Sequence, residues 1–169
     1  MDPSLRLRAV EHALRQRRAV VTASPSSSDL PEWTFGDGPE LADRLAALIV
    51  AGVKTATCSD TGIQPVPVEG ERGYLMSGDG RRVAILKTET VTRMKFADVT
   101  QELAALEGEG DLSLDYWQSA HREYFTRNGV FAEDMDVFFE TFRLEKVLDD
   151  EFAAAAPQHL AQERAGAVA

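Results

Sequence analysis

The sequence has one cysteine, three histidines and no long apolar run. Because Cys58 stands alone, an internal disulfide is excluded. The histidines, His12, His121 and His159, are too scattered to give the spacing of metal ligands. The longest apolar run, residues 45–53, is much shorter than the roughly 20 residues that a membrane helix needs. We therefore expect a protein with no disulfide, no metal site, no cofactor and no membrane span.

The N-terminus lacks an apolar segment followed by a small-residue cleavage site, so we expect no secretory signal and a cytoplasmic protein. Positive charge is also scarce, since the net charge is −10. Residues 1–28 carry +3 and residues 152–169 carry zero, which leaves −13 on residues 29–151. Such an acidic surface is a poor partner for a long phosphate backbone. A small cavity with one or two cations stays compatible with it, because local field and total charge differ.

The chain does contain enough apolar residues for one core, with 169 residues of which 44% are hydrophobic and 27% charged. These values are typical of a globular domain. We divide the chain into an Arg-rich helical N-terminal arm over residues 1–28, a domain over residues 29–150, and an Ala-rich C-terminal tail over residues 151–169. The tail has no strong pattern and is expected to be a weak helix or disordered.

The periodicity of the domain predicts a mixture of helices and strands. Leu41, Leu45, Leu48 and Ile49 form the apolar stripe of a helix that begins near residue 39 and ends at a glycine. The later elements are a short strand at 54–59, a hairpin of 73–76 with 82–86, a strand at 88–93, helices at 98–106 and from 111 or 113, and a strand at 135–147. This order predicts an α+β fold with a mainly antiparallel sheet, in which six short strands curl into a small β-barrel flanked by helices.

The first segment with candidate chemistry is residues 51–59, where Lys54 follows the end of a helix and precedes several hydroxyl side chains. A lysine in a partly buried cleft loses its charge more readily than one in water and can then take a proton from Thr57. In a regular strand, residues 54 and 57 point to opposite faces, so their pairing requires a bulge or a turn. The alternative is a solvated lysine beside a Thr-rich strand.

The second segment is residues 107–111, in which three carboxylates are separated by glycines. Glycine allows the backbone to fold back and approach a ligand closely. The carboxylates of Glu107 and Glu109 would hold a divalent cation, supply a general acid, or only solvate a loop. Asp111 also suits the N-cap of the helix that follows.

Several aromatic residues are able to stack on a nucleic-acid base, as aromatics do in single-strand binders. Trp33 and Tyr116 are the candidates for such contacts. Trp117 and Tyr124 are separated by seven residues, which is typical of the buried stripe of a helix. His121 lies on the same stripe, so we expect a hydrogen-bonded core histidine, and we expect Cys58 to be an inert small residue.

Three ordered runs resemble bacterial members of the ASCH family: WTFGDGPELAD at residues 33–43, AGVKTAT at 51–57, and EGEGDLSLDYW at 107–117 followed by His121. The G-x-K-x-x-T element of that family is matched by Gly52 and by Lys54 and Thr57. The resemblance implies a PUA-like fold, which is a small β-barrel flanked by helices around a cleft. It also implies a link to RNA, because the family is associated with RNA binding.

The family resemblance implies three alternative functions. Some bacterial members resemble ribonucleases that act on single-stranded RNA, and others are amidohydrolases that remove the acetyl group of N4-acetylcytidine with a lysine, a threonine and a glutamate. A non-catalytic RNA- or ligand-binding module is the third. We expect a metal-independent hydrolase whose ligand is a modified nucleoside or short single-stranded RNA, and no oligomeric state follows from the sequence.

The amidohydrolase members also imply roles for residues of this chain. Lys54 is then the base, Thr57 the nucleophile or the group that orients a water, and Glu109 the acid and ionic partner of Lys54, with Glu107 as the alternative. Val53 stands where a second cation is common in the family. The residues expected to contact the substrate are Thr55, Ser59, Glu107, Trp33 and Tyr116.

Overall fold

The computed structural model describes residues 29–63 and 65–166. The N-terminal arm predicted over residues 1–28 lies outside the described residues and stays a prediction. The described ranges hold, in chain order, β1 (Glu32–Trp33), α1 (Pro39–Val50), β2 (Ala56–Asp60), β3 (Arg72–Met76), β4 (Arg82–Lys95), a 3-10 turn (Phe96–Asp98), α2 (Gln101–Leu106), α3 (Leu114–Arg127), β5 (Asp136–Val147) and α4 (Asp150–Gly166).

Local sequence explains where the helices beside the cleft begin and end. Pro39 lies at the start of α1, where its missing N–H costs no helical hydrogen bond. Gly52 follows the end of α1 with a φ of +74°, the left-handed conformation that suits glycine there. Ser113 caps α3 by accepting a hydrogen bond from the Tyr116 N–H. The predicted helix boundaries near residues 39, 52 and 113 agree with these positions.

The five strands form one open sheet in the order β1-β3-β4-β5-β2. All neighbouring pairs are antiparallel except the short parallel pair of β1 with β3. The α+β class with a mainly antiparallel sheet is therefore confirmed. The strands predicted at residues 82–86 and 88–93 are one long strand, β4, which has a register irregularity between Thr88 and Thr90.

The predicted six-stranded closed barrel is wrong for the described part of the chain. Closure requires the two edge strands to share hydrogen bonds, and here the edges are β1 and β2. β1 is only two residues long, so its free edge offers few backbone groups to which a further strand could bind. Residues 34–36, which follow β1, and Thr57 and Ser59 of β2 line the same cavity. A cleft thus lies where a barrel would have closed.

Apolar side chains pack on both faces of the sheet, because successive residues of a strand point to opposite faces. Phe142 of β5 belongs to the cluster under α1 and α4, and Phe139 belongs to the cluster under α3. The segment expected to be a weak helix or disordered is the helix α4, whose Phe152 and Ala156 are buried in the first cluster. The division of the chain at residue 150 stays a prediction, and the structure adds that α4 packs on α1. None of the helices in the described ranges has the length and apolar composition of a membrane span.

The burial of α4 gives a test of its contribution to stability. Phe152 is 8% exposed, so Phe152→Ala leaves a cavity in the first cluster and should lower the free energy of unfolding by about 3 kcal/mol. The exposed Gln158 of the same helix, changed to alanine, is the matched control. Urea denaturation of the full chain checks both variants, and equal stability of F152A and the parent would contradict the packing.

Candidate functional site

A cavity of about 290 Å³ lies between the end of β1, the strand β2, the acidic loop after α2 and one side of α3. Its apolar wall includes Phe35 and Tyr124, and its polar wall includes Thr57, Ser59 and Tyr116. The volume is just below the roughly 300–1,000 Å³ range of small-molecule sites. The cavity therefore has the size for one small ligand or one nucleoside.

The buried Lys54 side chain lies at the polar wall of this cavity. Its Nζ atom is 2.9 Å from Oε2 of Glu107 and 2.7 Å from Oε1 of Glu109. The Lys54 and Glu107 side chains are 1% and 2% exposed, whereas that of Glu109 is 22% exposed. Both carboxylates that the sequence offered as alternatives thus bind the same ammonium.

Backbone contacts explain why the acidic loop lies over Lys54. The N–H of Lys54 donates to the carbonyl of Leu48 at 3.1 Å, which keeps residue 54 against the end of α1. The N–H of Thr55 donates to the carbonyl of Leu106 at 2.8 Å, which joins the start of β2 to the end of α2. The loop that follows Leu106 then comes back over Lys54.

The glycines of the acidic loop allow this close approach. Gly108 has a φ of +72°, and a Cβ atom on it would lie 2.7 Å from the carbonyl oxygen of Val53. Gly110 has a φ of +56°, and a Cβ atom on it would lie 2.4 Å from the Tyr116 ring. Both positions combine a left-handed backbone with a crowded neighbour, so they require glycine.

Two residues of α3 hold the carboxylate of Glu107 from the other side. The indole N–H of Trp117 donates to Oε1 of Glu107 at 2.8 Å, and Nε2 of His121 lies 3.4 Å from the same oxygen. The two rings are stacked with centroids 4.2 Å apart. Periodicity predicted that Trp117 and His121 lie in the core, with His121 hydrogen-bonded, but it did not predict that both rings contact the Glu107 carboxylate. The sequence feature that could have indicated this contact is the i, i+4 spacing of Trp117 and His121, which places two ring N–H groups on one face of α3.

The charges of this cluster shift one another's pKa values. Burial opposes a charge on Lys54, but the attraction of Glu107 and Glu109 outweighs burial and raises the Lys54 pKa. Burial also opposes a charge on Glu107, but Lys54 and His121 outweigh it and lower the Glu107 pKa from 4.5 to about 2. The pKa of His121 is raised, because the negative charge of Glu107 outweighs the effect of burial. In the resting site Lys54 is an ammonium and Glu107 a carboxylate.

The predicted nucleophile Thr57 lines the cavity together with Lys54 and both glutamates. The expected difficulty of opposite strand faces does not arise, because β2 begins at Ala56 and Lys54 precedes the strand. Within residues 29–63 and 65–166 the Thr57 hydroxyl has no hydrogen-bond partner. It is therefore available to a ligand in the cavity.

The predicted substrate contacts divide into two groups. Ser59, Glu107 and Tyr116 line the cavity. Thr55 and Trp33 are not among the cavity-lining residues, since the Thr55 hydroxyl is 3.4 Å from the carbonyl of Leu106 and Trp33 is buried in the first apolar cluster. The structure brings the first group to the cavity and leaves the second group outside it.

One set of potential metal donors lies beside the cavity. The donor atoms of Cys58, Glu107 and His121 are within 4.8 Å of one another. The ammonium of Lys54 and the indole of Trp117 already engage the Glu107 carboxylate. Burial, together with the negative charge of Glu107, raises the pKa of the Cys58 thiol. A cation would have to displace the ammonium of Lys54, so this donor set is a poor fit to a metal.

The other two cationic residues of the cavity wall, Arg44 and Arg127, are also paired with carboxylates. Nε of Arg44 is 3.0 Å from Oε2 of Glu163 in α4, and a guanidinium nitrogen of Arg127 is 2.6 Å from Oδ2 of Asp37. These pairs could not be predicted from local sequence signals, because their members are 119 and 90 positions apart. The described cavity thus offers no unpaired positive charge among its arginines and lysine.

The family model that describes the ASCH domain matches residues 31–146 of the chain. This chain belongs to the ASCH-domain family. The match covers β1 through most of β5 and includes Lys54, Thr57 and both glutamates, which confirms the resemblance read from the three sequence runs. ASCH domains are generally associated with RNA binding and a PUA-like fold.

Solved structures agree with this assignment. The ASCH domain from Lactobacillus crispatus JV V101 is 29% identical with a TM-score of 0.66, and the match covers 85% of this chain and 95% of that one. A protein from Enterococcus faecalis V583 is 30% identical with a TM-score of 0.64, and the match covers 71% of this chain and 82% of that one. None of the curated proteins matches the sequence. The relatives therefore support the family and the fold of this ASCH protein and no particular reaction.

The depressed pKa of Glu107 predicts how its contribution to stability depends on pH. The folded value of about 2 lies below the ordinary 4.5, so the contribution is full above pH 4.5 and is lost as the pH falls toward 2. Glu107→Gln leaves Lys54 with one carboxylate and should destabilise the protein by about 3 kcal/mol at pH 7. The difference from the parent should shrink between pH 4.5 and 3.

Urea denaturation at pH 7, 5, 4 and 3 measures this difference. The matched control is Glu133→Gln, since the side chain of Glu133 is 78% exposed and pairs with Arg122 at the surface. It should change stability by less than about 1 kcal/mol at every pH. A difference between E107Q and the parent that stays constant from pH 7 to 3 would contradict the proposed charge state.

Proposed function

We propose that this ASCH protein is a metal-independent hydrolase of a modified nucleoside of the N4-acetylcytidine type. The observation that carries the proposal is the Lys54 ammonium, bound by Glu107 and Glu109 in the cavity that also contains the Thr57 hydroxyl. These residues include the lysine and threonine that match the amidohydrolase motif. Glu109 supplies the carboxylate of the catalytic set, because it is the more exposed of the two.

The charge state of Lys54 changes the role expected for it. A raised pKa makes the ammonium a poor base in the resting site. We assign the base to Glu109, whose Oε1 is 2.7 Å from Lys54 Nζ, and we assign to Lys54 the stabilisation of negative charge on the substrate. Glu107, fixed by Trp117 and Lys54, is the residue that keeps Lys54 in place.

The proposed reaction has two steps that balance in protons. In the first, Thr57 Oγ1 attacks the acetyl carbonyl carbon while Glu109 takes the hydroxyl proton. The neutral Glu109 then no longer balances the Lys54 ammonium, which stabilises the negative charge on the carbonyl oxygen. Glu109 returns the proton to the N4 nitrogen as the C–N bond breaks, which releases cytidine. In the second, water attacks the carbonyl carbon of the threonine ester while Glu109 takes a proton from it, and Glu109 returns that proton to Thr57 Oγ1 as the ester C–O bond breaks, which releases acetic acid. Because Lys54 supplies the positive charge, neither step requires a metal.

The cavity favours a nucleoside over an RNA strand as the ligand. It has a volume of about 290 Å³, and both of its arginines pair with carboxylates. The phosphate backbone of an RNA strand needs cations that neutralise it. Residues 29–151, with net −13, carry few cations to spare. An uncharged nucleoside can bind without such a cation.

The assigned residues give a direct kinetic test. Thr57→Ala removes the nucleophile and Lys54→Ala removes the charge that stabilises the oxyanion, so each should lower kcat for N4-acetylcytidine by at least about a hundredfold. Thr57→Ala should keep the parent's stability, because the hydroxyl makes no hydrogen bond within residues 29–63 and 65–166. Thr92→Ala, at an exposed position of β4, is the matched control.

Chromatography of released cytidine measures the reaction. If the parent protein releases no cytidine, N4-acetylcytidine is not its substrate. A T57A variant with the kcat of the parent would remove Thr57 as the nucleophile and leave the substrate assignment standing.

A second candidate function is a non-catalytic RNA-binding module. The observation that favours it is the burial of Lys54 between two carboxylates, which is also what a structural ion pair looks like, in a family generally associated with RNA binding. For the nucleoside enzyme we expect weak binding of a labelled 12-nucleotide single strand at 150 mM salt and no cleavage. Tight binding that falls steeply with salt would favour the module, and shortened labelled products would favour a ribonuclease.

A further inference from the structure

The carboxylate of Glu163 is buried near the end of α4, 17 residues beyond the last residue that the family model matches. Glu163 is 6% exposed, which is unusual for a glutamate unless its oxygens are paired. Each of its two oxygens has a partner in the cavity region. Neither partner belongs to α4, so α4 contributes a charge to a site built by other parts of the chain.

The first oxygen of Glu163 fixes the acidic loop. Oε1 accepts a hydrogen bond of 2.8 Å from the backbone N–H of Gly110, and Gly110 directly follows Glu109. Glu109 in turn holds Lys54 at 2.7 Å. A hydrogen bond from a backbone N–H to a carboxylate is among the stronger ones in proteins. This bond holds the backbone next to Glu109 and so limits where the Glu109 carboxylate lies.

The second oxygen of Glu163 neutralises a cation of the cavity wall. Oε2 is 3.0 Å from Nε of Arg44, and Arg44 lines the cavity with 44% of its side chain exposed. A guanidinium at the edge of a cavity is otherwise a good site for a phosphate. The pairing with Glu163 therefore removes a phosphate-binding group from the cavity.

We propose that Glu163 is a positioning and specificity-determining residue of this site, whose buried carboxylate orients the acidic loop through Gly110 and excludes phosphorylated ligands by neutralising Arg44. Helix α4 then belongs to the functional site, and its anchor in the core is Phe152. The preferred ligand is the unphosphorylated nucleoside. The choice of a nucleoside rests on the proposed function, whereas the contacts of Glu163 do not.

The loop contact is tested in the unmutated full chain by NMR. The Gly110 amide proton should resonate downfield and exchange with solvent at least about a hundredfold more slowly than an unprotected amide, because it is buried and bonded to a carboxylate. Glu163→Gln keeps an acceptor oxygen and removes the charge, so the Gly110 amide should move upfield while the protein stays folded. An unprotected Gly110 amide in the parent would overturn the proposal without any variant.

The charge contact is tested by binding of cytidine and cytidine 5′-monophosphate. In E163Q the affinity for the monophosphate relative to that for cytidine should rise at least about fivefold at low salt, because one negative charge beside Arg44 is lost. Glu151→Gln, the same change at an exposed position of α4, should leave the ratio unchanged. In the double variant Arg44→Gln with Glu163→Gln this rise in relative affinity for the monophosphate should disappear.

Two results would overturn the charge contact: equal ratios in E163Q and E151Q, or a gain that persists without Arg44. If neither cytidine compound binds the parent or E163Q, the nucleoside assignment fails, and inorganic phosphate becomes the probe. Phosphate should then shift the side-chain Nε resonance of Arg44 in E163Q and leave it unshifted in the parent. No phosphate-induced shift in E163Q would overturn the role of Glu163 as well.

Discussion

The site depends on one constraint, which is the burial of the Lys54 ammonium. An isolated buried charge is very unfavourable, so the fold has to supply compensating charges and hydrogen bonds around it. Glu107 and Glu109 provide the charges, and Trp117 fixes the deeper carboxylate. The glycine spacing of the loop, the helix end before Lys54 and the aromatic face of α3 all serve this arrangement. Removal of any of them leaves either a charge without its partner or a loop that cannot approach it.

Much of the fold could be predicted from local sequence signals. Pro39, Gly52 and Ser113 set the helix boundaries through the first and last turns, where few residues decide the outcome. Closure of the sheet could not be predicted in this way, because it depends on whether two edge strands far apart in the sequence meet. The residues that follow the short β1 form a cavity wall instead of a further strand pair. The same departure from a barrel creates the space for a ligand.

Only the part of the candidate site that matches a family motif could be predicted from the sequence. Lys54 and Thr57 came from such a motif, and the question of opposite strand faces is resolved by where β2 begins. The protonation state of Lys54 was not predictable, because it depends on which of two competing effects is larger: burial lowers the pKa, and two nearby carboxylates raise it. His121 was expected in the core, and it does lie beside Trp117, but it also contacts the Glu107 carboxylate.

Glu163 shows why long-range pairs escape sequence reasoning. Its segment is rich in alanine, which favours a helix, but it has no apolar periodicity and contains a proline, so the sequence pattern gives α4 little support. The helix is stabilised by tertiary contacts, in which Phe152 and Ala156 fill the first apolar cluster and Glu163 reaches Gly110 and Arg44. A buried carboxylate that binds a backbone N–H and a guanidinium specifies position more than it adds stability. An arginine or a lysine can therefore lie in the cavity wall without giving the cavity an unpaired positive charge, because each is bound by a carboxylate.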